Sequence, residues 1–392
     1  MSVGVTGHTN VLGVAICALH QIVVHTDRTE DTLRVYRLPV GPDAACSSHP
    51  SDGTVKPWAC RRQLLEFVCA LGGADSVPPL SFRFNDASGA SSGDVTFMYC
   101  HPDPPTAGCQ GHLHASAPLS VGSEGSWSVV SPADSPPGGY PRRHHLHDRP
   151  KALLLVTDSG NSAVHIVDVT ARRHVGYVVR GLEGPRGVAA TRGLRGGGGG
   201  ALVAVSAWPA NDRGSHVVHV FQGSGVHWSP TRVIAGGWGG PGPAQGQLDI
   251  PFGLRFSGDG ACVAVSEYGA HRVSLFSVQD GAFVAHVGGG EDSPVDVEQW
   301  GRDGWLVAFE SAGLAVVSAE GAVLDTHDPG RHFPCLTAMA WVPEVGLAVA
   351  NEDHVEMFVT RDWLAMARMS HLRVAWMGAV AAAAWRHQSG SP

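Results

Sequence analysis

A frame of about forty residues, each copy holding four short β-type runs, recurs along this chain and restricts its fold more than any other feature. The clearest copy spans Pro251 to Val287. It predicts an opening strand over 253–256, a turn at Gly258-Asp259-Gly260 and a second strand over 262–266. A third strand follows over 272–278 and, past Asp280-Gly281, a fourth over 283–287. β-branched enrichment, period-two alternation and Asp-Gly turns are hairpin chemistry, so three successive hairpins make a four-stranded antiparallel meander.

Pro294 and Pro334 open later copies 43 and 40 residues on, the spacing of one propeller blade. Pro185 opens an earlier one 66 residues before Pro251, with Gly196–Gly200, Pro209–His216 and Gly236–Gln247 as extended turns and a padded link. Leu153–Val167 matches Cys262–Phe276, but no opening strand lies just upstream. Pro79–Phe84 resembles Pro251–Phe256 and is assigned as that strand, which makes one blade interrupted by a long insertion. The first copy holds Gly13–Cys17, Gln21–Asp27 and Thr32–Arg37. Six blades are thus expected, near 10–58, 79–180, 184–235, 249–288, 293–325 and 334–360.

A four-stranded sheet has two faces and alone would leave both wet. Arranged radially, each blade covers its neighbours, and burial at about 1.5–3 kcal/mol per Val or Leu offsets the ordering of short strands. A sandwich would explain the alternation but not the frame, and a solenoid would want a shorter period. Gly 51 and Pro 26 in 392 residues also exclude a coiled coil or helical solenoid. The expected fold class is all-β, a six-bladed β-propeller of four-stranded antiparallel blades over residues 1–365. It carries a long disordered insertion at 87–150, rich in Pro, Gly, Ser and His, and a short C-terminal helix from Asp362 to Met369 within a tail at 366–392.

Val156–Val167, with Asp158, Gly160 and Asn161, and Pro251–Phe276, with Glu267, Gly269 and Arg272, together resemble the NHL repeat. The resemblance covers about 150–360 well and 10–40 weakly. It implies a six-bladed propeller whose chain ends meet in a shared blade, and a scaffold that hosts no single activity. The pattern departs at Ala207, Phe309 and Asn351, where the repeat's Asp is replaced.

The formal charge of −8 is the wrong sign for neutralising a phosphate backbone, so DNA is not expected as a partner and RNA is disfavoured. No apolar run reaches the roughly 18 residues that a membrane span needs. Val11–Leu19 is apolar but has no Lys or Arg before it, so it is read as a core strand rather than a signal peptide. Eight cysteines without a C-x-x-C pair suit a reducing compartment, and the expected location is cytoplasmic.

Asp27, Asp158 and Glu267 end second strands at equivalent positions, and Asn351 shares that place. Carboxylates there accept turn N–H groups. Ringed around one mouth, these four would instead form an acidic binding rim. Cys100, Cys109, His112 and His114 have zinc-ligand chemistry, but their spacing fits no defined site and no metal is expected. No nucleophile elbow, Walker loop or dinucleotide fingerprint occurs. The expected function is a non-catalytic scaffold binding a protein or other ligand through one rim, without a cofactor. The alternative is a metal-assisted hydrolase or lyase, lactonase-like, with a divalent cation in the central channel. An enzyme should gather Asp, Glu, Asn or His on the axis with perturbed pKa values, whereas a scaffold should line it with small and apolar residues.

Overall fold

The computed structural model describes residues 10–17, 20, 22–38, 66–72, 81–85, 93–98, 119–121, 127–129, 152–192, 200–208, 216–234, 246–289, 292–301, 304–327, 335–342, 346–352 and 354–359. Twenty-five strands are found there. Blade one is β1 (Val14–Cys17), β2 (Ile22–Asp27), β3 (Thr32–Arg37) and β4 (Glu66–Gly72). Blade two is β5 (Val95–Phe97) followed by β8 (Leu153–Asp158), β9 (Ala163–Asp168) and β10 (Arg173–Arg180). Between them, β6 (Leu119–Val121) and β7 (Trp127–Val129) pair as a separate hairpin. Blade three is β11 (Pro185–Arg192), β12 (Ala201–Ala207), β13 (Val217–Ser224) and β14 (His227–Ile234). Blade four is β15 (Pro251–Phe256), β16 (Cys262–Glu267), β17 (Arg272–Ser277) and β18 (Phe283–Gly289). Blade five is β19 (Pro294–Trp300), β20 (Gly304–Phe309), β21 (Gly313–Val317) and β22 (Val323–His327). Blade six shows three described strands, β23 (Leu336–Val342), β24 (Gly346–Asn351) and β25 (Val355–Val359).

The opening strands touch in the cyclic order β1, β5, β11, β15, β19, β23 and back to β1, which closes the ring. Buried apolar side chains among the described residues fall into six clusters, one at each blade–blade interface. Alternation along the second strands explains this. Val263 and Val265 pack toward blade three, while Ala264 between them packs toward blade five. Val156, Val205, Val265, Val307 and Val349 hold the same place in successive blades and are fully buried. The notion that each sheet needs a neighbour on both sides therefore holds in this chain.

Closure joins blade six to blade one. Ala338, Ala340 and Met357 pack on Val14, Ile16 and Val23, and the Val11 N–H donates to the Glu352 carbonyl (3.2 Å). Among the described residues, no strand is shared between the chain ends.

Two expected boundaries are corrected. The opening strand of blade two is Val95–Phe97, inside the stretch read as disordered, and it pairs with Leu154–Val156. Residues 81–85 instead wedge between blades one and two. Phe82 and Phe84 are buried there, and the Arg83 N–H donates to both Asp158 carboxylate oxygens (3.2 Å each). Alternating phenylalanines suit a wedge as well as a strand, so the pattern alone could not separate the two roles. The last strand of blade one, Glu66–Gly72, lies beyond the expected end of that blade at 58. The helix expected from Asp362 and the tail at 366–392 lie outside the described residues. Among the described residues, no helix is long and apolar enough to cross a membrane.

Candidate functional site

Opening strands run away from one face of the ring, here called the mouth face, and second strands return to it. Asp27, Asp158, Glu267 and Asn351 therefore all end on that face. Their side chains are turned into their own blades and are at most 2% exposed. Asp27 accepts from Thr29 N–H (3.0 Å), Glu30 N–H (3.3 Å) and the Arg34 guanidinium (2.6 Å). Asp158 accepts from Asn161 N–H (3.0 Å) and pairs with His165 Nε2 (3.0 Å), whose Nδ1 meets His174 (3.3 Å). Glu267 holds Arg272 (3.0 Å), the Ser274 hydroxyl and Asp249 N–H (3.0 Å). Asn351 accepts from His354 N–H (2.8 Å). Each caps the turn into a third strand. Asp31, Ser162 and His271, the residues just before β3, β9 and β17, all take positive φ. None of the four lines the channel mouth. Cys100, Cys109, His112 and His114 lie outside the described residues.

The channel itself carries a different set. Opposite equivalent second-strand residues sit Val14, Val95, Val188, Leu254, Val297 and Met339. The residues just before them, Gly13, Asp94, Gly187, Gly253, Asp296 and Ala338, form one level around the axis. Two residues further on, Ala15, Thr96, Ala189, Arg255, Glu298 and Ala340 form the next, since period two returns the side chain to the same face. The levels hold mostly Gly and Ala because the strands crowd together. A Cβ on Gly253 would stand 2.8 Å from the Asp296 Cα.

Four charged side chains share this narrow space. Asp94 accepts from its own Val95 N–H and from Val188 N–H of blade three (both 2.8 Å). Asp296 repeats the arrangement with Val297 N–H (2.8 Å) and Met339 N–H of blade six (2.9 Å). One level deeper, Arg255 grips Glu298 with two nitrogens and donates to Thr96 Oγ1 across the axis (3.3 Å). Burial pushes the Asp94 carboxyl well above the usual range, and the nearby Asp296 charge adds to the rise. Burial likewise raises Asp296 to about 6, and Glu298 to about 7 against the pull of Arg255. Three carboxylates with raised pKa values thus converge on the axis. Each is also held by neighbouring backbone donors as a link between blades. Among the described residues, no three His, Cys, Asp or Glu side chains are grouped to hold a metal ion.

Above the Asp94–Asp296 level the channel opens into a cavity of about 190 Å³. Arg186, Phe252, Tyr268, Glu310 and Thr337 wall it. Tyr268 stacks beside Phe252 (5.2 Å, 37°) and donates to Glu310 (2.8 Å). The Arg186 guanidinium lies over the Trp208 ring at 4.8 Å. Asp94, Asp296 and the Arg255–Glu298 pair are not among the residues that the sequence singles out. A signal existed: Gly253 and Arg255 lie at the same register as Asp296 and Glu298, 43 residues apart, on alternate positions of otherwise apolar opening strands.

No family model and no curated protein matches the chain. Among solved structures it is similar to a chain in "Crystal structure of Nidogen/Laminin Complex", with 13% identity, a TM-score of 0.47 and 85% of each chain covered. The propeller assignment rests on the strand topology of the chain itself.

Proposed function

We propose that this chain is an NHL-like propeller scaffold, without catalysis of its own, that binds a protein partner through the rim around the channel mouth. The mouth cavity carries this reading. At about 190 Å³ it is smaller than the roughly 300–1,000 Å³ of small-molecule sites, and its wall joins aromatic and charged side chains as protein-binding surfaces do. Its floor is closed by groups already engaged in holding blades together. Met98 and Ala152, which flank the insertion, lie at the opposite face, as does the turn at Asp280. Eight cysteines without a C-x-x-C pair accord with a cytoplasmic location.

The test is capture from a lysate of the source organism by the wild type, by Tyr268→Arg at the mouth and by Asp280→Arg on the opposite face. A partner kept by the wild type and Asp280→Arg but lost by Tyr268→Arg supports the reading. Equal retention by both variants refutes it. The metal-assisted hydrolase or lyase stands second because three carboxylates with raised pKa values meet on the axis. Lactone or ester turnover that needs an added divalent cation and disappears in Asp94→Asn would put it first.

A further inference from the structure

We propose that the mouth cavity receives one lysine side chain of the partner protein, its ammonium seated on Asp94 and Asp296 and its methylene stem laid against Phe252 and Tyr268. This rests on the scaffold reading and names what the rim recognises. Size argues first: about 190 Å³ suits a single long side chain better than a free metabolite. Charge argues second. Asp94, Asp296 and Glu310 face Arg186, which is 3% exposed and stacked on Trp208, so the accessible excess is negative.

Hydrogen-bond accounting argues third. Each oxygen of Asp94 and of Asp296 takes one backbone N–H, and a carboxylate oxygen has two lone-pair sites, so each keeps one for a ligand. An ammonium brings three donors. Two find the carboxylates, and the third finds the Thr337 hydroxyl, whose oxygen is buried, lines the same cavity and has no hydrogen-bond partner among the described residues. The four other residues at the floor level are Gly13, Gly187, Gly253 and Ala338, none of which brings a polar side chain to compete for the carboxylates. The Phe252–Tyr268 pair offers apolar surface to the stem and ring faces to the charge. A guanidinium pairs best by two parallel bonds to one carboxylate, and the backbone N–H already on each oxygen of Asp94 and Asp296 competes with that fork. Because burial holds Asp94 above the usual carboxyl range, an arriving cation should ionise it and release a proton.

The experiment titrates the full chain by calorimetry with four probes: an N-acetylated Gly-Lys-Gly amide, its Nε-acetyl counterpart, its Arg counterpart, and calcium chloride alone. The lysine peptide should bind saturably, about tenfold or more tighter than the acetylated and arginine peptides. Its heat should vary with the ionisation enthalpy of the buffer, reporting proton release. Asp94→Asn and Asp296→Asn, each with native circular dichroism, should weaken it by about tenfold or more. Glu310→Gln, which leaves the floor intact, should weaken it by less. Equal binding of the acetylated or arginine peptide, no binding of any peptide, or calcium binding tighter than the lysine peptide overturns the proposal. Loss of partner capture in Tyr268→Arg together with no peptide binding would sink the lysine assignment alone and leave the scaffold reading standing.

Discussion

Replacing Asp296 by Asn removes one charge from the axis and should change how stability depends on pH. The carboxyl ionises near 3.8 in the unfolded chain and near about 6 in the folded one, raised chiefly by burial. Between those values the folded state holds a proton that the unfolded state has released. The stabilisation is complete below the unfolded value and is lost as pH rises through the folded one. Roughly two pH units at about 1.4 kcal/mol each make the full loss roughly 3 kcal/mol. About 2 kcal/mol of it falls between about pH 4.5 and about pH 8. Asn has no such dependence. It keeps one acceptor for the Val297 or Met339 N–H, so its own cost is constant with pH. The asparagine variant should therefore gain about 2 kcal/mol on the wild type from about pH 4.5 to about pH 8. Relief of Asp94, whose carboxyl the Asp296 charge helps to raise, acts in the same direction. Buried His25, held down to about 4, contributes an opposite slope, but it is common to both proteins and cancels in the difference. Urea unfolding of the two proteins across that range measures it. A flat difference, or a variant that falls behind as pH rises, refutes the idea that Asp296 is a desolvated acid.

Other substitutions probe the same centre. Arg255→Met leaves Glu298 buried without its cation and should cost about 3–5 kcal/mol near pH 8, and less at about pH 5 where the carboxyl is neutral. Arg255→Met combined with Glu298→Leu should recover most of that loss in urea midpoints. Ser206 accepts from Gly187 N–H (2.8 Å) and donates to the Phe252 carbonyl of the next blade (2.6 Å), so Ser206→Ala should cost about 1–3 kcal/mol. Gly253→Ala should lose about 1–3 kcal/mol by thermal unfolding, while Gly258→Ala, whose Cβ would meet only Gln299 at 3.5 Å, should lose much less.

The ring was legible because its signal is redundant. Hydrophobic alternation, Asp-Gly turns and a near-constant frame recur, and the second strands of blades two to six carry a valine at the same place. Hydroxyls repeat as well: Thr157, Ser206 and Ser266 each bond to an opening-strand carbonyl of the next blade, at Arg186 (2.8 Å), Phe252 (2.6 Å) and Val295 (3.2 Å). Blade five has Ala308 there, and Asp296 and Glu298 supply its bonds to blade six through Met339 and Trp341 N–H instead. The charged axis was not legible for a related reason. It departs from the repeat at single positions, and only a knowledge of register reveals that Asp94, Arg255, Asp296 and Glu298 face one another. Asp94 was hidden further, since its strand is three residues long and borders a Ser- and Gly-rich stretch. The acids that did repeat, Asp27, Asp158 and Glu267, repeat because blades one, two and four cap the same turn with a carboxylate.

Hydrogen exchange on the full chain, with and without its captured partner, tests most directly whether the mouth is the binding face. Slowed exchange confined to the backbone around Arg186–Val188, Phe252–Leu254, Tyr268 and Glu310 is the expected result. Protection around Asp259 and Asp280, on the far side of the ring, with none at the mouth would contradict the account.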